Sequence, residues 1–337
     1  MTGLEGARFI VNTGKGGVGK STVSLAMALG LAQRGKRVLH MQLNAGDRVG
    51  PALGIEPVDG KLRLVEPGLW CVNTTPRESL REYALMVLRI RALYRAVFEN
   101  RVVDKLLRVM PGLPELTMLG KAYFHEQERL ESGAPRFDTV ILDAPATGHG
   151  MFLLQLPGVI RRAVATGHMA EEAGKMLDLL TDPERTIVNL VTLAEEMPVN
   201  ETLEMRASLA AELEVRVGYV IANAVLPERF EPDDVRLLEE AARALGDAGV
   251  QAAARGGVAA MDDEGLSTLS PIVAAGGFHA RRRAMQARYI EALRQEVTEP
   301  VLCLPHTLTP RLDRAEHLQL GAALLDAAAR HDAGAQA

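Results

Sequence analysis

The sequence predicts an α/β protein: a mostly parallel central sheet with helices on its faces and one helical insertion. Three observations predict it. Short apolar runs alternate with longer amphipathic stretches; several of those runs are unbroken Val, Ile and Leu, as in strands covered on both faces; and the first run leads through a glycine-rich turn straight into a helical pattern.

The strands expected from the apolar runs are 8–12, 37–43, 70–74, 139–143, 186–192, 216–223 and 301–304. A helix is expected over 21–33, directly after the glycine-rich turn. Between residues 77 and 131 the alternation stops, and Leu80, Tyr83, Val87, Ile90, Tyr94 and Val97 recur at steps of three and four, which lines one helical face with apolar side chains. Pro111 and Pro114 bracket a break, and a second helix is expected from 115 to about 131. A further helical block covers 158–180, and 313–330 reads as a terminal helix. No internal repeat is evident. A chain of 337 residues fits one elaborated domain, 1–337, with the insertion inside it.

Composition narrows the function classes. Hydrophobic residues make up 47% and charged residues 24%, the balance of a folded chain. The formal charge is −5 and no run of five like charges occurs, so no nucleic-acid footprint is expected; the basic triplet Arg281–Arg283 reads as a solvated helix face. Cys71 and Cys303 stand far apart and form no CxxC pair, which argues against disulfides and a structural zinc. Residues 1–6 do not resemble a secretory leader, and no apolar run reaches the ~20 residues of a spanning helix, so a cytoplasmic protein is expected.

Gly14-Lys15-Gly16-Gly17-Val18-Gly19-Lys20-Ser21-Thr22 fits GxxxxGK[ST], with the strand before it and the helix after it that the mechanism requires. Glycines let backbone N–H groups turn inward around phosphate oxygens, the helix N-terminus adds its positive dipole end, and Lys20 brings a point charge to the β- and γ-phosphates. Ser21 is the expected magnesium ligand. Asp143 ends a strand beside this loop, where a carboxylate holds a water of the magnesium shell. The loop after it, through Gly148, His149 and Gly150, can change conformation with nucleotide state; His149 reads equally as a sensor or as a structural residue.

The GKGGVGKST segment resembles the deviant Walker A class of P-loop proteins, in which the lysine matching Lys15 reaches the partner subunit's phosphates; catalysis then needs a dimer. A plain solvated lysine is the other reading. Asp143-Ala144-Pro145-Ala146-Thr147-Gly148-His149 further resembles the second switch of the ArsA-type, or anion-transporting, ATPase family, which includes arsenite-pump ATPases and the factor that delivers tail-anchored proteins to membranes. Residues 111–116, 182–186 and 200–202 resemble family elements too. The resemblance implies an ATPase that takes ATP and Mg2+. It implies that Glu201 contacts nucleotide across the dimer and that Asn223, ending a strand, reads adenine; an amide offers both a donor and an acceptor for that task.

Three departures qualify the resemblance. Where the family has an acid after the second strand, aligned through residues 52–54, this chain has Asn44, which can orient a water but cannot take its proton. Slow turnover is expected unless Asp47 or a partner supplies a base, since general-base help is worth roughly 10²–10⁴-fold. The dimer is expected to be a homodimer or a heterodimer with a paralogous ATPase, and the missing acid suggests a competent paralogue; a non-hydrolysing regulatory subunit is the other reading. There is no zinc-binding CxxC, so dimerisation must use other surfaces. Arsenite pumping is disfavoured because a soft thiophile needs several converging thiolates. A partition-type ATPase is disfavoured because residues 318–337 carry no basic amphipathic anchor. The insertion, with Met86, Met110 and Met118, fits either an apolar client groove or ordinary core.

Overall fold

The computed structural model describes residues 3–88, 112–145, 148–164, 166–213, 215–245, 263–309 and 311–334. Among the described residues one sheet has eight strands, β1 Phe9–Thr13, β2 Val38–Leu43, β3 Arg63–Glu66, β4 Leu69–Thr74, β5 Thr139–Asp143, β6 Thr186–Leu193, β7 Val217–Val225 and β8 Val301–Pro305. Their spatial order is β3-β4-β2-β5-β1-β6-β7-β8. All neighbours pair parallel except β3 with β4, which is an antiparallel edge.

The seven strands expected from the sequence are present. The eighth, β3, was not expected, because four residues of mixed polarity at an edge carry no apolar run. The helices among the described residues are α1 Lys20–Gln33, α2 Val49–Leu53, α3 Pro76–Leu88, α4 Leu113–Gln127, α5 Gly148–Ala163, α6 His168–Thr181, α7 Glu196–Leu213, α8 Pro232–Leu245, α9 Asp263–Glu296 and α10 Arg314–Gly334. The block expected over 158–180 is two helices, α5 and α6, parted at Gly167, whose φ of 105° suits only glycine.

Side chains alternate across the sheet into two cores. Phe9, Val11, Leu39, Met41, Val140, Leu142, Val188 and Leu190 face α4, α5, α6 and α7. Ile10, Val38, Cys71, Ile141, Ile187, Val191 and Ile221 face α1 and α10. The chain's first long helix and its last pack so closely that a Cβ on Gly321 would lie 2.1 Å from the Ala26 carbonyl oxygen.

Of the described part of the insertion, α4 packs on the sheet and α3 packs on α4. Leu116, Met118, Leu119 and Ala122 of α4 enter the first core, and Met118 is 2% exposed, so this methionine is core and lines no groove. Glu126, 1% exposed, receives Arg8 Nε at 2.8 Å and Arg185 Nη2 at 2.7 Å, tying α4 to the starts of β1 and β6. Ile90, Tyr94, Val97, Met110 and Pro111 lie outside the described residues, as do the side chains of Tyr83, Met86 and Val87. No described helix is long and apolar enough to cross a membrane.

Candidate functional site

β1 lies between β5 and β6, where the strand order turns back, so the loops leaving the carboxyl ends of these strands part and leave a crevice. The phosphate loop fills that position, between β1 and α1. Its shape depends on glycine at Gly14, Gly17 and Gly19, all at positive φ, and at two of them the surroundings leave no room for a side chain. Gly14, at φ 149°, lies so close to β6 that a Cβ would meet the Val191 carbonyl oxygen at 2.2 Å. Gly19, at φ 89°, is the N-cap of α1, and a Cβ there would meet the Asn223 amide nitrogen at 2.2 Å.

Beside the loop is a cavity of about 630 Å³. It is lined by Gly17, Gly19, Lys20, Ser21 and Thr22 of the loop and α1, by Asp143, Ala144 and Pro145 after β5, and by Asp47 and Arg48 after β2. Of the residues singled out from sequence, Gly17, Gly19, Lys20, Ser21, Thr22, Asp47 and Asp143 therefore share one site. Arg48, Arg311 and His317 line it as well and were not anticipated. Arg311 and His317 come from the segment after β8, and no local pattern announces that it folds back over the loop.

The floor of the crevice is polar. Along the α1 face, Asn73, Gln42, Asp143, Asn12 and Asn189 stand in register on β4, β2, β5, β1 and β6. Asn189 Nδ2 donates to Asn12 Oδ1 at 2.8 Å, and Asn12 Nδ2 donates to Ser24 Oγ of α1 at 2.9 Å. Each of these strands thus breaks its apolar alternation at a matching position, a signal present in the sequence once the register is known.

Asp143 is 3% exposed, and its Oδ1 has no hydrogen-bond partner. Burial pushes its carboxyl up to about 6; the Ser21 and Ser24 hydroxyls and the Lys20 and Arg48 charges oppose that shift. Lys20 is lowered by burial, with Asp143 opposing, and its Nζ donates to the Lys15 carbonyl at 2.8 Å. A buried carboxylate with a free oxygen, a serine hydroxyl beside it and an ammonium drawn into a glycine cradle suit a magnesium triphosphate.

Lys15, Glu201 and Asn223 do not line that cavity. Lys15 pairs with Glu201 of α7 within the same chain, both partly exposed, and Glu201 Oε2 is left without a partner. Asn223 donates from Nδ2 to the Val18 carbonyl at 2.9 Å, so it touches the phosphate loop. Ala224, next in the chain, has φ 55°, which costs an L-residue about 1–2 kcal/mol. Gly14, Gly16, Val18 and Asn44 belong to the loops around the cavity and do not line it. Asn44 is exposed at φ 48°, a left-handed conformation that asparagine tolerates, and its N–H donates to the Thr74 carbonyl at 2.8 Å. Asp47 accepts from the backbone N–H groups of Val49 and Gly50 at 3.0 and 3.1 Å and of Val58 at 3.2 Å, which caps α2. Ala146 and Thr147 lie outside the described residues, as does the His149 side chain.

Cys71 on β4 and Cys303 on β8 are six strand positions apart, about 29 Å at ~4.8 Å per strand, and burial raises both thiols. They cannot converge within one chain. Among the described residues no group of three His, Cys, Asp or Glu side chains is placed to hold a metal.

The profile of the anion-transporting ATPase family matches residues 7–177 and 163–244. ATPase BagA of Mycobacterium tuberculosis is 29% identical over 237 residues, 69% of each chain. The arsenical pump-driving ATPase of Acidiphilium multivorum is 31% identical over 239 residues, 65% of this chain and 40% of the pump protein, so the match spans about two fifths of that relative. ATPase GET3 of Kluyveromyces lactis is 24% identical over 262 residues, 67% of this chain and 74% of its own. With a phosphate loop, a strand-end carboxylate and a family match across residues 7–244, the chain belongs to the anion-transporting ATPase family and is a P-loop enzyme that binds and hydrolyses ATP.

Proposed function

We propose that this protein is a slow, nucleotide-dependent dimer switch of the cytoplasm, which closes on Mg-ATP and passes that closure to a protein or membrane partner. The observation that supports it best is a complete phosphate site combined with an amide at the acid's position. Lys20, Ser21 and Asp143 line one cavity, while Asn44 stands where an acid is expected.

In this reading the N–H groups at the start of α1 and the Lys20 ammonium bind the phosphates, and the Ser21 hydroxyl and Asp143, through water, hold magnesium. Magnesium, when bound, supplies further neutralisation of the charge on the transferred phosphate. Asn44 can orient an attacking water through its amide but takes no proton from it. Asp47 keeps the loop after β2 in shape through α2 and does not replace the base, because its carboxylate is committed to backbone donors. Lys15 is held by Glu201 in the single chain. An exposed ion pair is worth only about 0–1 kcal/mol, so a partner's triphosphate can draw Lys15 away, freeing Glu201 to meet nucleotide across the interface. Asn223 reads adenine.

The partner is either a second copy or a competent paralogue, and Asn44 favours the paralogue. Titration calorimetry with Mg-ATP, followed by sedimentation velocity with and without nucleotide, tests the proposal. Binding with a nucleotide-dependent rise in mass is expected, for the chain alone or with its natural companion. Absence of Mg-ATP affinity in both settings refutes it.

A further inference from the structure

The long helix α9 reaches the sheet's carboxyl edge and holds two of its loops. Arg282 pairs with Glu195 in the turn between β6 and α7. Two turns further on, Ile290 packs with Ala194, Ala222 and Val225. Between them stands Gln286, 4% exposed. Its Oε1 accepts the Leu226 N–H at 2.8 Å and its Nε2 donates to the Ala224 carbonyl at 3.1 Å. The amide has only one orientation that satisfies both, since a backbone N–H can only donate and a carbonyl can only accept.

These two bonds straddle a distortion. Ala224 is left-handed, and the register of β7 against β8 shifts between Ala222 and Val225. Left-handed alanine persists only where its surroundings over-determine it, and such residues collect at binding sites. Immediately before Ala224 is Asn223, whose amide bonds the Val18 carbonyl and covers Gly19.

We infer that Gln286 is a positioning residue for base recognition: by holding Ala224 left-handed, it aims the Asn223 amide at the nucleotide's base from the wall of the phosphate loop. The inference rests on Asn223 reading adenine, as proposed above. When Gln286 is lost, Ala224 relaxes toward an ordinary conformation and rotates Asn223 away from its post. The phosphate cradle is made by other residues and keeps its grip. The defect therefore falls on the choice of base: the bond from Nδ2 to the Val18 carbonyl stops the Asn223 amide from flipping, so its Oδ1 can accept from the amino group of adenine but gains nothing from the carbonyl of guanine.

The test compares affinities of the full chain for Mg-ATP, Mg-GTP and inorganic tripolyphosphate by calorimetry, in wild type, Asn223→Ala, Gln286→Leu, Gln286→Glu and the double variant Gln286→Leu with Ala224→Gly. Gln286→Glu keeps an acceptor for Leu226 and loses the donor to Ala224, so it reports even where the leucine variant folds poorly. Loss of one neutral specificity bond should lower the ATP-over-GTP preference about 3- to 10-fold in Asn223→Ala and in both Gln286 single variants. Tripolyphosphate affinity should stay within about twofold. Ala224→Gly should restore part of the preference to Gln286→Leu, since glycine accepts a positive φ without help. If Asn223→Ala loses the preference and both Gln286 variants keep it, or if tripolyphosphate binding weakens as much as ATP binding, Gln286 is merely structural and the inference is overturned. If Asn223→Ala leaves the preference unchanged, the reading of Asn223 falls and the role of Gln286 falls with it.

Discussion

Replacing Asp143 by asparagine should stabilise the nucleotide-free protein while crippling its response to Mg-ATP. Burial raises the carboxyl to about 6 from an ordinary 3.8, so the folded state holds its proton to higher pH than the unfolded chain. Stability from this group is complete below pH ~4 and is lost as pH rises through ~6. At pH 7.5 the buried charge then costs about 3 kcal/mol, at 1.36 kcal/mol per pH unit, and at pH 4.5 about 1 kcal/mol. Asparagine removes that cost with little change in shape. For 337 residues the unfolding entropy is roughly 0.7 kcal/mol per kelvin, so Asp143→Asn should raise Tm at pH 7.5 by roughly 4 °C. The gain should shrink to about a third at pH 4.5. Thermal unfolding at both pH values, with and without Mg-ATP, reads the effect. Mg-ATP should raise Tm strongly for wild type and weakly for the variant, because the free Oδ1 is then needed for the metal shell. A variant that melts lower than wild type at pH 7.5, or gains equally at both pH values, would refute the assignment of burial as the cause.

Other outcomes follow from the same geometry. Asn44→Asp should raise steady-state ATP turnover about 10²-fold or more with little change in nucleotide Kd, since aspartate also tolerates φ 48° and adds the proton acceptor; equal rates would show that the amide is not limiting. Asp47→Ala should lower unfolding stability by about 2–3 kcal/mol through lost charge-assisted bonds to α2, seen as a lower denaturant midpoint. If it abolished turnover of a folded protein instead, Asp47 would be the base. Burial depresses His40 to about 4, with the His317 charge adding, so its stability contribution is lost as pH falls below the unfolded value of 6.5. Between pH 7 and 5 that loss is about 2 kcal/mol, and His40→Leu should flatten the acid limb of a denaturation series by that amount.

How much of this was legible follows from where the information lies. The seven parallel strands announce themselves because apolar residues dominate each run, as burial between two layers of helices requires; β3 does not, because an edge strand of Arg63, Leu64, Val65 and Glu66 needs no such run. The phosphate loop is local, so nine consecutive residues specify it. Arg48 and Arg311 line the same cavity from loops more than 250 residues apart in the chain, and proximity of that kind follows only from sheet order. Asp47 just ahead of a short helix is a local capping signal, which a carboxylate near the phosphate loop shares with a catalytic base. Met118 fits both groove and core at the level of spacing, and the placement of α4 against the sheet decides for core.

The near contact of Gly321 with Ala26 makes the phosphate cradle depend on a helix far downstream in the sequence. The helix that carries the cradle rests on α10, and Arg311 and His317 reach the cavity from the segment that leads into α10 and from α10 itself. A chain that has not yet made and docked α10 therefore exposes the outer side of α1 and lacks that wall of the cavity. Even a single methyl group at Gly321 would part the two helices and delay or prevent that docking.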